Sequence, residues 1–280
     1  MSDTVMKVIL ETVQISLLVL VMMIAVDLIN VWTRGKMGEF LKRGRQWRQY
    51  VIASLVGVMP GCVGAFTNVS LYVHGMISFG ALVGAMAAVS GDEAFVMLAM
   101  FPKTALLLFG ILLVLAIFIG WLTDHLVRRW HIHTCTDCTS ELLHGNSEGF
   151  SHYIKEHVWR HIIKRHLLRT VLWTFGALLV VELGLQHWDL KQFTSEHSLT
   201  MLFLGALIGL IPESGPHLII VTMYASGLVP FSVLLTSSIV QDGHGMLPML
   251  AYSVKDSVKI KGFNLGFGLI IGLTVYLIGW

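Results

Sequence analysis

Apolar side chains run in long unbroken stretches along this 280-residue chain. Gln49–Gly91, Thr104–Thr123, Ser214–Gln241 and Gly262–Trp280 contain no Asp, Glu, Lys or Arg. A membrane-spanning helix needs about 20 predominantly apolar residues, so each shorter run has room for one helix and each longer run for two. Spanning β-strands would show short segments alternating apolar and polar residues, whereas these runs are apolar on every face. The pattern predicts an all-α polytopic membrane protein. Its first apolar stretch, Val8–Val31, follows a terminus with Asp3 and no basic cluster, which favours a retained helix over a cleaved signal.

Composition agrees. Hydrophobic residues make up 55% of the chain and charged residues 13%, against about 25% charged in a soluble domain. A water-soluble enzyme could not cover its core with so little polar surface. The apolar bias excludes disorder, and three Cys exclude a disulfide scaffold. A net charge of +2 gives no reason to expect a nucleic-acid partner.

The chain repeats itself. An offset of 152 residues aligns Gly57–Lys103 with Gly209–Lys255 without a gap, with 12 of 47 positions identical. The matches include Gly57/Gly209, Pro60/Pro212, Tyr72/Tyr224, Gly75/Gly227, Gly91/Gly243 and Lys103/Lys255. Shared Pro, Gly, Tyr and Lys in register are more than greasy composition supplies. The halves become residues 1–123 and 167–280, joined by a cytoplasmic loop over 124–166.

Lys and Arg in loops set orientation. Arg34–Arg48 carries six basic residues against Glu39 alone, and Asp124–Arg169 carries seven basic and five acidic residues, so both should be cytoplasmic. Gln186–Thr200, the repeat partner of Arg34–Arg48, has only Lys191 beside Asp189 and Glu196 and should face outward. Equivalent loops on opposite sides imply inverted repeats, with a substrate site between them near the midplane. Pro60-Gly61, Gly75 and Gly91 interrupt the stretch between Arg48 and Lys103, where an odd number of crossings suggests three short or re-entrant segments. The whole chain then has about ten transmembrane or partly spanning segments in two inverted repeats with broken helices.

Ionisable groups at membrane depth are costly and point to function. Asp92 and Glu93 follow Gly91; Asp242 and His244 surround Gly243 at the equivalent position. Carboxylates, imidazole and the carbonyls freed by a broken helix suit a divalent cation such as Mn, Fe or Zn. Around the other break, Glu213 and His217 add a carboxylate and an imidazole, Cys62 a soft ligand and Asn68 an oxygen. Cys62 reads more readily as a small buried hydrophobe, and the lesser alternative for the two acid-bearing turns is a solvated turn at the membrane edge. Lys103 and Lys255 are candidate charge or proton relays, or lysines snorkelling to headgroups. His74, Asp27 and Glu182 read as interfacial.

Eight of the thirteen His lie between His125 and His166. Within this stretch His131, His133, Cys135 and Cys138 offer a cytoplasmic transition-metal site, with a Cys-x-x-Cys completed by imidazoles. The alternatives are an inert thiol pair and a basic amphipathic helix on lipid headgroups.

The stretches Pro60–Phe66, Ser90–Met97, Ile211–His217 and Gln241–Gly245 resemble those of the ten-transmembrane heavy-metal exporter family, whose members carry labels such as manganese transporter or arsenic-efflux-like protein. The resemblance covers nearly the whole chain apart from the His/Cys-rich loop. It implies a multi-pass protein of the prokaryotic inner membrane engaged in metal efflux.

These readings converge on a secondary transporter exporting a divalent transition metal, manganese foremost, with Mn, Fe or Zn as cargo rather than as a bound cofactor. The sequence has no Walker motif, so a gradient should drive transport, and protons can exchange for metal at carboxylates and His. Partners are then the lipid bilayer, the metal ion and protons; nothing in the sequence requires a homodimer. Three alternatives stay open. Helix N-termini at the breaks would suit efflux of an anion or organic arsenical. Glu213 and His217 four residues apart resemble part of a metallohydrolase site, although Pro212 and Pro216 should break the helix such a site needs. The central loop would suit a membrane metal sensor.

Overall fold

The computed structural model describes residues 46–73, 75–134 and 196–279, with scattered residues in 6–21 and 171–194. Every regular element among the described residues is helical. Five α-helices of the first half are α1 (Gln46–Gly57), α2 (Val63–Val73), α3 (Phe79–Ala87), α4 (Glu93–Met100) and α5 (Pro102–Arg129). Five of the second half are α6 (Ser198–Gly209), α7 (Ser214–Ala225), α8 (Phe231–Val240), α9 (Met246–Tyr252) and α10 (Val254–Leu277), with a 3₁₀ turn at Gly243–Gly245 before α9.

The 152-residue offset carries α1 onto α6 residue for residue and places every other helix of the first half on its counterpart within a residue or two at the start. The breaks correspond as well. Gly75 and Gly227 have φ of 64° and 68°, and Gly91 and Gly243 have φ of 53° and 51°. This left-handed conformation costs other residues about 1–2 kcal/mol, so these glycines stop the helices at matching points. Three breaks make four helices between Arg48 and Lys103, rather than the three segments expected. At 1.5 Å per residue each of the four is too short to cross a hydrocarbon core of about 30 Å. Only α5, with 28 residues, and α10, with 24, are long and apolar enough among the described residues to cross a membrane.

Packing repeats too. Within each half the third helix lies against the fifth and the first (α3 on α5 and α1, α8 on α10 and α6). Between halves, α4 meets α7 and α2 meets α9, contacts that exchange with one another when the halves are swapped. The centre is the pair α3 and α8: every residue of α3 and all of α8 beyond Phe231 is buried. Small residues allow the close approach. A Cβ on Gly84 of α3 would strike the Ala116 carbonyl of α5, and one on Gly272 of α10 would strike Thr236 of α8.

A buried helix start must satisfy its free N–H groups without water. In α3, the N-cap Ser78 Oγ accepts from Ala81 N–H at 3.1 Å, and Asp124 Oδ1 accepts from Gly80 N–H at 2.7 Å. Asp124 Oδ2 accepts the Tyr50 hydroxyl at 2.7 Å. Asp124 thus belongs to α5, which continues to Arg129, and is buried. The expected loop boundary at residue 124 falls inside this helix because the carboxylate is needed as the α3 cap.

The start of α10 lies beside the end of α5. Lys259 Nζ donates to the His133 carbonyl just past α5 and pairs with Asp256 Oδ1 at 2.8 Å. Tyr72, near the end of α2, donates its hydroxyl to Asp256 Oδ2 at 2.9 Å. In the counterpart place Tyr224 of α7 packs edge-on against Phe101 at the start of α5, with ring centroids 5.1 Å apart.

Candidate functional site

The two equivalent broken-helix turns meet in the protein's interior. A Cβ built on Gly243 would lie 3.5 Å from Gly91 Cα and 3.0 Å from Ser214 Oγ; one built on Gly91 would lie 2.7 Å from Ser214 Oγ and 2.9 Å from Glu93 Oε2. Glycine at both places leaves the turns, Ser214 and Glu93 around a common point. Gln241, next to Asp242, donates from Nε2 to the Val89 carbonyl at 2.5 Å. Since 241 is 89 plus 152, this bond joins equivalent positions of the two halves.

Glu93 opens α4 and is 2% exposed, and neither carboxylate oxygen has a hydrogen-bond partner among the described residues. Asp92 and Glu213 lie within electrostatic reach of it. Asp92 accepts a weak hydrogen bond from the buried Cys62 thiol, Sγ to Oδ1 3.5 Å. Glu213 holds the N-cap of α7. The α4 and α7 starts therefore face one another with acids at both, Glu93 buried and Glu213 half-buried.

Asp242 is fully buried and answered. Its Oδ2 pairs with Lys261 Nζ at 2.6 Å and its Oδ1 accepts from Asn264 Nδ2 at 3.0 Å. It lies in the Gly243 turn, which meets the Gly91 turn that leads to Glu93, but its charge is already met by the chain. His217 is buried in α7, with Nδ1 3.2 Å from Ser237 Oγ. Pro216 does not break that helix. It lies in the first turn of α7, where its missing N–H is not required.

Asn68 donates from Nδ2 to the Ala53 and Gly64 carbonyls at 3.1 and 3.0 Å, tying α2 to α1. Lys103 and Lys255 occupy the second positions of α5 and α10 and are exposed. His131 and His133 are exposed beyond the end of α5. Cys135, Cys138, His74, Asp27, Glu182 and the His244 side chain lie outside the described residues. Among the described residues, no three His, Cys, Asp or Glu side chains form a ready-made metal group.

The sequence reading passed over Ser214, Gln241, Lys261 and Asn264. Asn264 was a visible signal: a lone amide in an otherwise apolar run, one helical turn from Lys261. Gln241 and Ser214 flank acids already singled out.

No curated protein and no solved structure matches the chain. A family model does, over residues 1–176 and 149–278, so that the two matched segments overlap and cover all but the last two residues. Helices broken at equivalent glycines, a buried acid at their junction and this full-length match agree: the chain belongs to the family described as "Putative, 10TM heavy-metal exporter".

Proposed function

We propose that this membrane exporter is a secondary transporter that carries a divalent transition metal, manganese foremost, out of the cell in exchange for protons. The observation that carries the reading is Glu93, buried at the junction of the two halves with no hydrogen-bond partner for its carboxylate oxygens among the described residues. An ionised carboxylate there is costly unless it is paired. A metal ion neutralises it in one state of the cycle and protons in another, which makes binding of the two mutually exclusive. Asp92 and Glu213 supply further oxygens, and Cys62 and His217 line the same region.

The halves are inverted in this reading. Start-to-end apposition of α10 and α5, which are equivalent helices, supports it. So does the cross-half pairing of Tyr72 with Asp256 at one place and Tyr224 with Phe101 at its counterpart. The α5 end leads into the basic central loop, which orients that face to the cytoplasm.

Anion efflux fits less well. The positive helix starts that would attract an anion are already offset by the chain's own acids, Glu93 in the first turn of α4 and Glu213 at the α7 N-cap.

Manganese flux in proteoliposomes with an imposed pH gradient tests the proposal. Glu93→Gln should lower flux by about 100-fold, the equivalent of roughly 2.8 kcal/mol. Unchanged flux, or flux of arsenical anions that exceeds that of the metal, would refute it.

A further inference from the structure

Lys261 sits in a cage of oxygens. Its ammonium reaches Asp242 Oδ2 at 2.6 Å, the Gly209 carbonyl at 2.9 Å and the Val240 carbonyl at 3.4 Å. Gly209 ends α6 and Val240 ends α8. The last carbonyls of a helix have no intrahelical partner, and they carry the negative end of its dipole. Two such ends and one carboxylate converge on one point, with Asn264 fixing the other carboxylate oxygen at 3.0 Å. Carboxylate plus freed carbonyls is the donor set that holds hard cations in broken-helix transporters. Here the chain puts its own ammonium there.

The first half lacks the side chains of this filling. At the places equivalent to Asp242, Lys261 and Asn264 it has Ser90, Phe109 and Leu112. Its acids Asp92 and Glu93 stand instead at the places of His244 and Gly245, and no lysine among the described residues pairs with Glu93. One half thus holds a matched cation and anion, and the other holds Glu93, whose carboxylate oxygens have no hydrogen-bond partner among the described residues.

We propose that the Gly209–Val240–Asp242 cage is a second cation site, kept filled by Lys261, so that the exporter offers a mobile cation only the Glu93 side of the junction. The tethered ammonium blocks a second metal at Asp242. The cage stands on its own geometry; that its neighbour carries transported metal rests on the function proposed above.

Thermal unfolding of the purified full-length chain, titrated with manganese chloride and separately with sodium chloride, tests this. Lys261→Gln vacates the cage while leaving its oxygens, and should gain cation-dependent stabilisation, with an apparent affinity for one of the two ions at least about tenfold tighter than wild type. Lys261→Arg, which keeps the charge, should show no gain, and the double variant Lys261→Gln with Asp242→Asn should lose it. If Lys261→Gln folds only when one of these salts is present, the cage is likewise supported. If Lys261→Gln is unstable to the same degree at every concentration of both salts, or responds to them as wild type does, Lys261 is only a structural tie and the proposal is overturned. Wild-type manganese flux, measured in parallel, separates the two ideas. A cation response in Lys261→Gln with no wild-type flux would leave the cage standing and remove the exporter mechanism. Flux without the response would do the reverse.

Discussion

Tyr72 donates its hydroxyl to Asp256 Oδ2 across 2.9 Å and so fastens the end of α2 in one half to the first turn of α10 in the other. The repeat partner of Tyr72 makes its cross-half contact with an aromatic ring instead, Tyr224 on Phe101. The halves share a backbone plan, but they are closed by different chemistry at its two equivalent ends. Asp256 is further held by Lys259 at 2.8 Å, and Lys259 also reaches the His133 carbonyl.

Tyr72→Phe removes one buried hydrogen bond and keeps the ring, so it should cost about 1 kcal/mol of stability. Asp256→Asn should cost more, since it also discharges the Lys259 pair and leaves that lysine with the His133 carbonyl alone. Unfolding midpoints of the two variants in detergent should rank in that order. Equal midpoints would mean that Tyr72, not the ion pair, holds the junction.

Glu93 behaves oppositely in stability and in transport. Its buried carboxylate has no hydrogen-bond partner among the described residues, and a buried polar group left unmatched costs about 1–3 kcal/mol. Glu93→Gln replaces a charge with a neutral amide of the same size and should raise the unfolding midpoint of the metal-free protein while lowering flux about 100-fold. Asp242→Asn should do the reverse for stability, because it strands the Lys261 ammonium among carbonyls. A midpoint lowered by Glu93→Gln would show the acid to be structurally paired.

The sequence carried the skeleton of this arrangement further than its wiring. The breaks at Pro60-Gly61 and Gly75, and the turns at Gly91 and Gly243, were readable because backbone conformation is set locally by Gly and Pro, and the repeat restates most of them. The same doubling singled out Lys103 and Lys255, as relays or as lysines snorkelling to headgroups. They are identical in both halves, yet exposed. The interactions that decide charge balance are those the repeat does not share: Lys261 has Phe109 as its counterpart, and Asp124 has Tyr276. Lys261 is 19 positions from Asp242, and Asp124 is 44 from Gly80, so only tertiary packing reveals either pairing.

Ser214 should couple energetically to both glycine turns. A methyl at Gly243 would meet its Oγ at 3.0 Å and one at Gly91 would meet it at 2.7 Å. Gly91→Ala and Gly243→Ala each add about 1–2 kcal/mol of backbone strain at positive φ, and the clash comes on top. Pairing Gly243→Ala with Ser214→Ala should relieve the clash but not the strain. A double-mutant cycle on unfolding free energy should return a favourable coupling of roughly 0.5 kcal/mol or more. Additive effects would place Ser214 away from the turn.

Asp124 should be the most costly polar position outside the junction. Its two oxygens serve two donors that have no water to turn to, the Gly80 N–H at the start of the fully buried α3 and the Tyr50 hydroxyl from α1, each at 2.7 Å. Asp124→Asn keeps the shape but turns an N–H₂ towards one of them, so one donor loses its acceptor and the other loses a charged one. The expected loss is about 2–3 kcal/mol. Tyr50→Phe withdraws the donor together with its hydrogen bond and should cost only about 1 kcal/mol. In the double variant the remaining amide oxygen can serve Gly80 alone, so the combined loss should fall short of the sum. Strict additivity, or a greater loss for Tyr50→Phe than for Asp124→Asn, would show that Asp124 does not cap α3.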